Sequence, residues 1–309
     1  VVRINNGVSA TVLSNGLNTF YLEAVGTTIE IRNHVNFIGS IDNISVKEVL
    51  EDDVPRIDYS TGEAAFLLEP QSTNLITYSE DFSQWNAING ITVTQNDTIS
   101  PDGTSNATRL DFNSSNTTSR IEVSIPSGGA GDFIFSVWAK SVSGNDVPFG
   151  MEIGSASSPE QQRVATNEWQ RFYRVGTTTS SVNLYPQMEA WTTNNESIYV
   201  WGAQLEELSY ATSYIPTSGT TVTRAQESCV DATPTINSEE GVLYAEISAL
   251  ADDGTNRSIT LNSGSSSNRV YLSYTSGSNR LRVIVNNSSG TQVDKFQNVP
   301  SITNLNKIA

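Results

Sequence analysis

The chain runs to 309 residues, longer than one ordinary domain needs, so two or three domains are expected. Its 33 acidic side chains against 17 basic ones give a formal charge of −16, which repels phosphate backbones and anionic headgroups and sets nucleic acid and membrane surfaces aside as partners; neutral glycans and cations stay open. Only 37% of residues are hydrophobic and 16% charged, no run approaches the roughly 18 to 20 apolar residues of a membrane span, and the single Cys229 excludes an intramolecular disulfide.

In chain order, residues 1–50 show Thr28-Ile29-Glu30-Ile31-Arg32 and Ile41-Asp42-Asn43-Ile44-Ser45-Val46-Lys47, with apolar side chains at every second position, the period of a half-buried strand. Too few strands fit there to close a sandwich, so 1–50 reads as the C-terminal part of a domain. Residues 51–72 change character: Glu51-Asp52-Asp53, Pro55, Pro70 and the turn signal Ser60-Thr61-Gly62 mark a linker carrying a short hairpin. Residues 73–221 hold the clearest strand series, at 91–94, 119–125, 133–139, 169–175 and 197–205, separated by turns such as Pro101-Asp102-Gly103 and Gly128-Gly129-Ala130-Gly131. The last block, 222–309, alternates again at 241–247, 269–274 and 280–285; three or four strands do not make a free-standing sandwich, so it is expected to need sequence beyond Ala309. A start at Val1, without Met or the charged and apolar regions of a signal peptide, agrees with a piece of a longer chain. The expected fold class is all-β: tandem antiparallel β-sandwich domains, the first and last incomplete.

Several strings in the middle block carry a resemblance. Asn74-Leu75-Ile76-Thr77-Tyr78-Ser79-Glu80-Asp81-Phe82-Ser83-Gln84-Trp85, Ser100-Pro101-Asp102-Gly103-Thr104, Phe135-Ser136-Val137-Trp138-Ala139-Lys140, Trp169-Gln170-Arg171-Phe172 and Trp201-Gly202-Ala203-Gln204-Leu205-Glu206 follow one another as in the head-spike and tail-fibre domains of bacteriophages. Those domains are jelly rolls similar to carbohydrate-binding modules. The tail of the block, Ala211-Thr212-Ser213-Tyr214-Ile215-Pro216-Thr217-Ser218-Gly219 and Val222-Thr223-Arg224, is similar to the same group. Residues 240–246 resemble the first strand of a concanavalin A-like lectin domain, and 37–49 the closing strand of another jelly roll.

The resemblance implies a structural, adhesive component of a virion appendage, exposed outside the cell, that joins other virion proteins, assembles as a homo-oligomer of trimeric type and contacts host cell-surface polysaccharide. The alternative is the carbohydrate-binding region of a secreted bacterial polysaccharide-degrading enzyme or surface adhesin, which the same sandwiches would serve. Neither reading makes these residues an enzyme.

The residues themselves agree. His34 is the one histidine and has no nucleophile motif beside it, and one Cys with one His cannot assemble a zinc site. Acidic residues are plentiful, yet none is singled out as a glycosidase pair. Calcium asks for carboxylate and carbonyl oxygens at strand ends, and the resemblance implies a structural calcium in such jelly rolls. Asp42 stands at the closing position in the first partial domain, and Glu80 and Asp81 at the opening position in the middle block, whose closing segment Trp201-Gly202-Ala203-Gln204 lacks the Asp. Sugar binding asks for an aromatic face beside amides and carboxylates. Trp85, Trp138, Trp169 and Trp201 sit in strand patterns that suit core packing, whereas Trp191 enters a polar stretch, with Tyr185 and Gln187 shortly before it, and is the candidate platform.

Overall fold

The computed structural model describes residues 2–4, 29–31, 56–59, 64–112, 118–157, 160–192, 197–229, 241–277 and 279–308. The chain divides into two compact units, residues 1–50 and 51–309. In the first, β1 (Val2–Ile4) and β2 (Ile29–Ile31) pair antiparallel, with Val2 opposite Ile31. The alternating run at 41–47, with Asp42, lies outside the described residues, as does His34.

The second unit opens with a hairpin of β3 (Arg56–Asp58) and β4 (Ala65–Leu67). The chain continues through β5 (Ser72–Asn74), β6 (Asn86–Ile88), β7 (Thr92–Thr98), β8 (Ala107–Asp111), β9 (Arg120–Glu122), β10 (Ile125–Pro126), β11 (Gly131–Ser141), β12 (Val147–Gly154), β13 (Gln161–Ala165), β14 (Gln170–Thr178), β15 (Asn183–Ala190), β16 (Ser197–Glu206) and β17 (Val222–Arg224). Two antiparallel sheets result, in the orders β13-β12-β15-β9-β6, with β10 also beside β15, and β14-β11-β16-β8-β7. From β8 onward the chain repeatedly switches sheet, the winding of a jelly roll. Among the described residues no helix is long and apolar enough to cross a membrane.

Alternation explains the packing. Along β11, Phe133, Phe135, Val137 and Ala139 point inward; along β12, Val147, Phe149, Met151 and Ile153 do; along β15, Leu184 and Met188 meet them. Each large apolar side chain buried this way contributes about 1.5–3 kcal/mol. The two ends of the sandwich are sewn together by polar groups. Asn74, fully buried, donates from Nδ2 to the carbonyls of Ala203 and Ile215, and its Oδ1 accepts from the amides of Ile76 and Leu205. Glu206, also fully buried, accepts from Ser72 Oγ, Thr212 Oγ1 and the Thr212 amide. β17 pairs with β5, and Arg224 bridges to Glu69 at 2.7 Å.

The remaining strands are β18 (Ala245–Ile247), β19 (Arg257–Asn262), β20 (Arg269–Tyr274), β21 (Arg280–Asn287), β22 (Gly290–Asn298) and β23 (Asn306–Ile308). β19 to β22 form a four-stranded meander, and β18 pairs with β23. Leu272, Tyr274 and Leu281 on one face of the meander pack with Ala245, Ala249 and Ile302. The rest of that face borders an open groove of about 270 Å³ lined by Gly241, Val242, Leu243, Val270, Leu272, Val283 and Ile308. The protein is thus all-β, built from several antiparallel sheets.

Candidate functional site

β12 and β15 lie side by side within their sheet, Gly150 opposite Glu189, Glu152 opposite Gln187 and Gly154 opposite Tyr185. Their intervening residues fill the core, so these six face outward. β9 places Glu122 beside Gln187 and Arg120 beside Glu189, while β13 places Gln162 beside Gly150. The result is a polar face crossing four strands.

Its centre is recessed. Gln187 and Glu189 are each only 8% exposed, and Gln187 Nε2 donates to Glu152 Oε2 at 2.8 Å and to Glu189 Oε1 at 3.3 Å. Arg120 pairs with Glu122 at 2.8 Å. Gly150 is required here, because a Cβ on it would collide with the side chains of Glu160 and Glu189, which close over that strand. A Cβ at Gly154 would lie 3.2 Å from Tyr185 Cβ. The two glycines therefore make room for neighbouring side chains, and an amide with flanking carboxyl groups fills the space over them.

Burial, followed by the charges of Glu160 and Glu152, pushes the Glu189 carboxyl up to about 7, against the opposing pull of Gln187 and Arg120. Burial and Glu152 raise Glu160 as well. Near neutral pH the Glu189 carboxyl is thus divided between its two forms, able to accept from hydroxyls and to donate to them.

Tyr185 and Gln187 stand on this face, as the strand register requires. Trp191 directly follows β15, is 38% exposed, and is the next position in the outward row of Tyr185, Gln187 and Glu189. Glu80 and Asp81 take separate partners. Glu80 accepts from Tyr214 Oη at 2.9 Å and from Asn106 Nδ2 at 2.9 Å, and burial raises its pKa. Asp81 caps the helical turn Phe82–Gln84 by accepting from the Ser83 amide and hydroxyl. Among the described residues no group of three or more His, Cys, Asp or Glu is placed to hold a metal ion. Trp85 packs between the sheets against Phe82 and Phe135, whereas Trp138 and Trp201 cluster with Tyr214, and Arg171 lies 4.4 Å from the Trp138 ring centre.

Sequence reasoning missed Glu152, Glu189, Glu122, Arg120 and the two glycines. The signal was present as two matching alternations, Gly150-Met151-Glu152-Ile153-Gly154 and Tyr185-Pro186-Gln187-Met188-Glu189, each polar or small on one parity and mostly apolar on the other.

No family model matches the sequence, and no curated protein matches it. Solved structures similar to it include the enzymatically active domain of a bacteriophage CBA120 tailspike protein, at 13% identity and TM-score 0.31, over 43% of this chain and 21% of that one. The xylan-binding domain from Paenibacillus barcinonensis is similar at 12% identity and TM-score 0.32, over 52% and 99%. A family 16 carbohydrate-binding module is similar at 14% identity and TM-score 0.30, over 43% and 99%. The chain spans about a fifth of the tailspike chain. Likenesses at this level assign no role to any residue here.

Proposed function

We propose that this chain binds neutral polysaccharide on the outward face of the β13-β12-β15-β9 sheet. The observation that carries the reading is the hydrogen-bonded row of Gln187, Glu152 and Glu189 beside Gly150 and Gly154, with Tyr185 in the same outward row. Fixed amide and carboxyl groups suit sugar hydroxyls, and Trp191 at the end of the row supplies a flat apolar surface for a pyranose ring. A surplus of carboxyl groups over the single Arg120 disfavours acidic sugars at this face.

Affinity electrophoresis through gels containing xylan, galactan or dextran tests it. Retardation by at least one is expected, with Trp191→Ala and Gln187→Ala each weakening the interaction about tenfold, in the range of a lost ring contact or a charge-assisted hydrogen bond. Unretarded migration in every neutral gel would remove this reading.

The setting we assign is a bacteriophage appendage, supported by the strings from Asn74 to Trp85 and from Trp201 to Glu206. Linked copies on an oligomeric fibre gain avidity from weak sites. Electron microscopy of the source particle decides between this and a secreted polysaccharide-binding region: the chain projecting from a virion supports the first, a particle-free chain the second.

A further inference from the structure

The chain's charge is unevenly distributed. Residues 241–309 carry six basic and four acidic side chains in a protein that holds 17 and 33 overall. Three of those basic residues, Arg269, Arg280 and Arg282, lie on one face of the β19-β20-β21-β22 sheet, opposite to the face occupied by Leu272, Val283 and the apolar groove.

The register spreads them out. Arg269 on β20 stands opposite Asn286, six positions along β21 from Arg280, so the two ends of the arginine row are roughly 20 Å apart. Arg282 stands between and is held by Asp294 through two hydrogen bonds of 2.9 and 2.7 Å. Arg269 and Arg280 have no carboxylate partner among the described residues. Arg280 donates from Nε to Thr275 Oγ1.

Aromatic rings accompany the cations. The guanidinium groups of Arg280 and Arg282 lie 4.6 and 5.0 Å from the centre of Phe296, which is 50% exposed, and that of Arg269 lies 4.9 Å from the centre of Tyr271. At the Arg269 end, Arg269 Nε and Asn286 Oδ1 are buried and have no hydrogen-bond partner among the described residues.

We infer that this face binds an acidic polysaccharide, one whose sugar rings carry carboxylate or sulfate groups. Spaced guanidinium forks match anions repeated along an extended chain, and an exposed ring beside them takes the apolar side of a pyranose. The face differs in place and in charge from the hydrogen-bonded row on the sandwich, so either site can fail without the other.

The test is affinity electrophoresis of the whole chain against polygalacturonate and dextran sulfate, with uncharged dextran alongside, in low and in high salt. Retardation by an acidic polymer that weakens as salt rises is expected, and Arg269→Gln combined with Arg280→Gln should weaken it about tenfold or more without lowering the melting temperature. Arg280→Lys, which keeps the charge but loses the fork, should fall between. Should the double variant lose its folded melt, the salt dependence of the unaltered chain against acidic and uncharged dextran is the deciding comparison. Migration unchanged by either acidic polymer at low salt overturns the inference, as does retardation that salt or the double variant leaves intact. Concentration-dependent self-association that the double variant abolishes, without polymer binding, assigns the face to a second copy instead and equally overturns it.

Discussion

Asn74 is the residue on which the ends of the sandwich converge. Its amide makes all four hydrogen bonds within reach, two as donor and two as acceptor, with no access to water. Asn74→Asp keeps the shape but removes both donors and sets a carboxylate against the carbonyls of Ala203 and Ile215. A loss on the order of 3 kcal/mol is expected in urea unfolding, because buried carbonyls left unpaired cost more than the bond itself contributed. Glu189 presents the opposite case. Its folded-state pKa of about 7 exceeds the ordinary 4.5, so the folded protein holds this proton more tightly than the unfolded chain does. Its contribution is most favourable at pH 4.5 and below, is lost as pH rises toward 7, and stays level beyond. Glu189→Gln, which cannot ionise, should therefore be more stable than the unaltered protein at pH 8 by about 2 kcal/mol and indistinguishable from it near pH 4.5, as read from melts at the two values.

At the scale of the strand, the family-like strings acquire a structural meaning. In Trp201-Gly202-Ala203-Gln204-Leu205-Glu206 the glycine has φ +65° where the pairing of β11 with β16 shifts register between Ser136 and Trp138, the geometry of a bulge. A Cβ there would lie 3.0 Å from the Trp138 ring. Gly202→Ala should cost about 2 kcal/mol in thermal or urea unfolding. Gln204 then accepts from the Ile215 amide and donates to the Ser213 carbonyl, while Glu206 holds Ser72 and Thr212. The strings that made the fold legible are thus its closing seam, and they say little about ligand. The strands that carry the candidate face were harder to read. Gly150 and Gly154 in β12, and Pro186 in β15, look like breakers in isolation, and the strand series drawn from alternation left both strands out. In the sheet the glycines make room for neighbouring side chains, and Pro186 sits where β9 gives way to β10 along β15, its carbonyl accepting from Val123. Tyr185, Gln187 and Trp191 were visible as an aromatic and amide group near a polar stretch. Glu152 and Glu189 were not, because only pairing across strands reveals that they share Gln187.

At the scale of the whole molecule, stability and solubility pull toward different pH values. Glu80, Glu160 and Glu189 are all raised by burial, so each favours the folded state less as pH climbs from 4.5. Two aspartates behave in the reverse sense. At Asp102 burial is outweighed by hydrogen bonds from Ser100 and Thr104, and at Asp253 burial is outweighed by Arg257 and Thr255, so both lie below the ordinary 3.8 and their contribution is lost as pH falls through that region. The melting temperature should therefore peak between about pH 4 and 6 rather than near neutrality. That window contains the isoelectric point of 4.4, where the repulsion supplied by a charge of −16 at pH 7 has vanished. Exposed apolar side chains such as Phe66, Val242 and Tyr244 are then free to associate. Melting followed together with static light scattering from pH 4 to pH 8 should show the two optima apart, with the highest melting temperature and the strongest attraction between molecules on the acidic side. A melting temperature that rises steadily to pH 8 would mean that the raised carboxyls of the sandwich do not govern its stability, because their linkage allows only a fall over that interval.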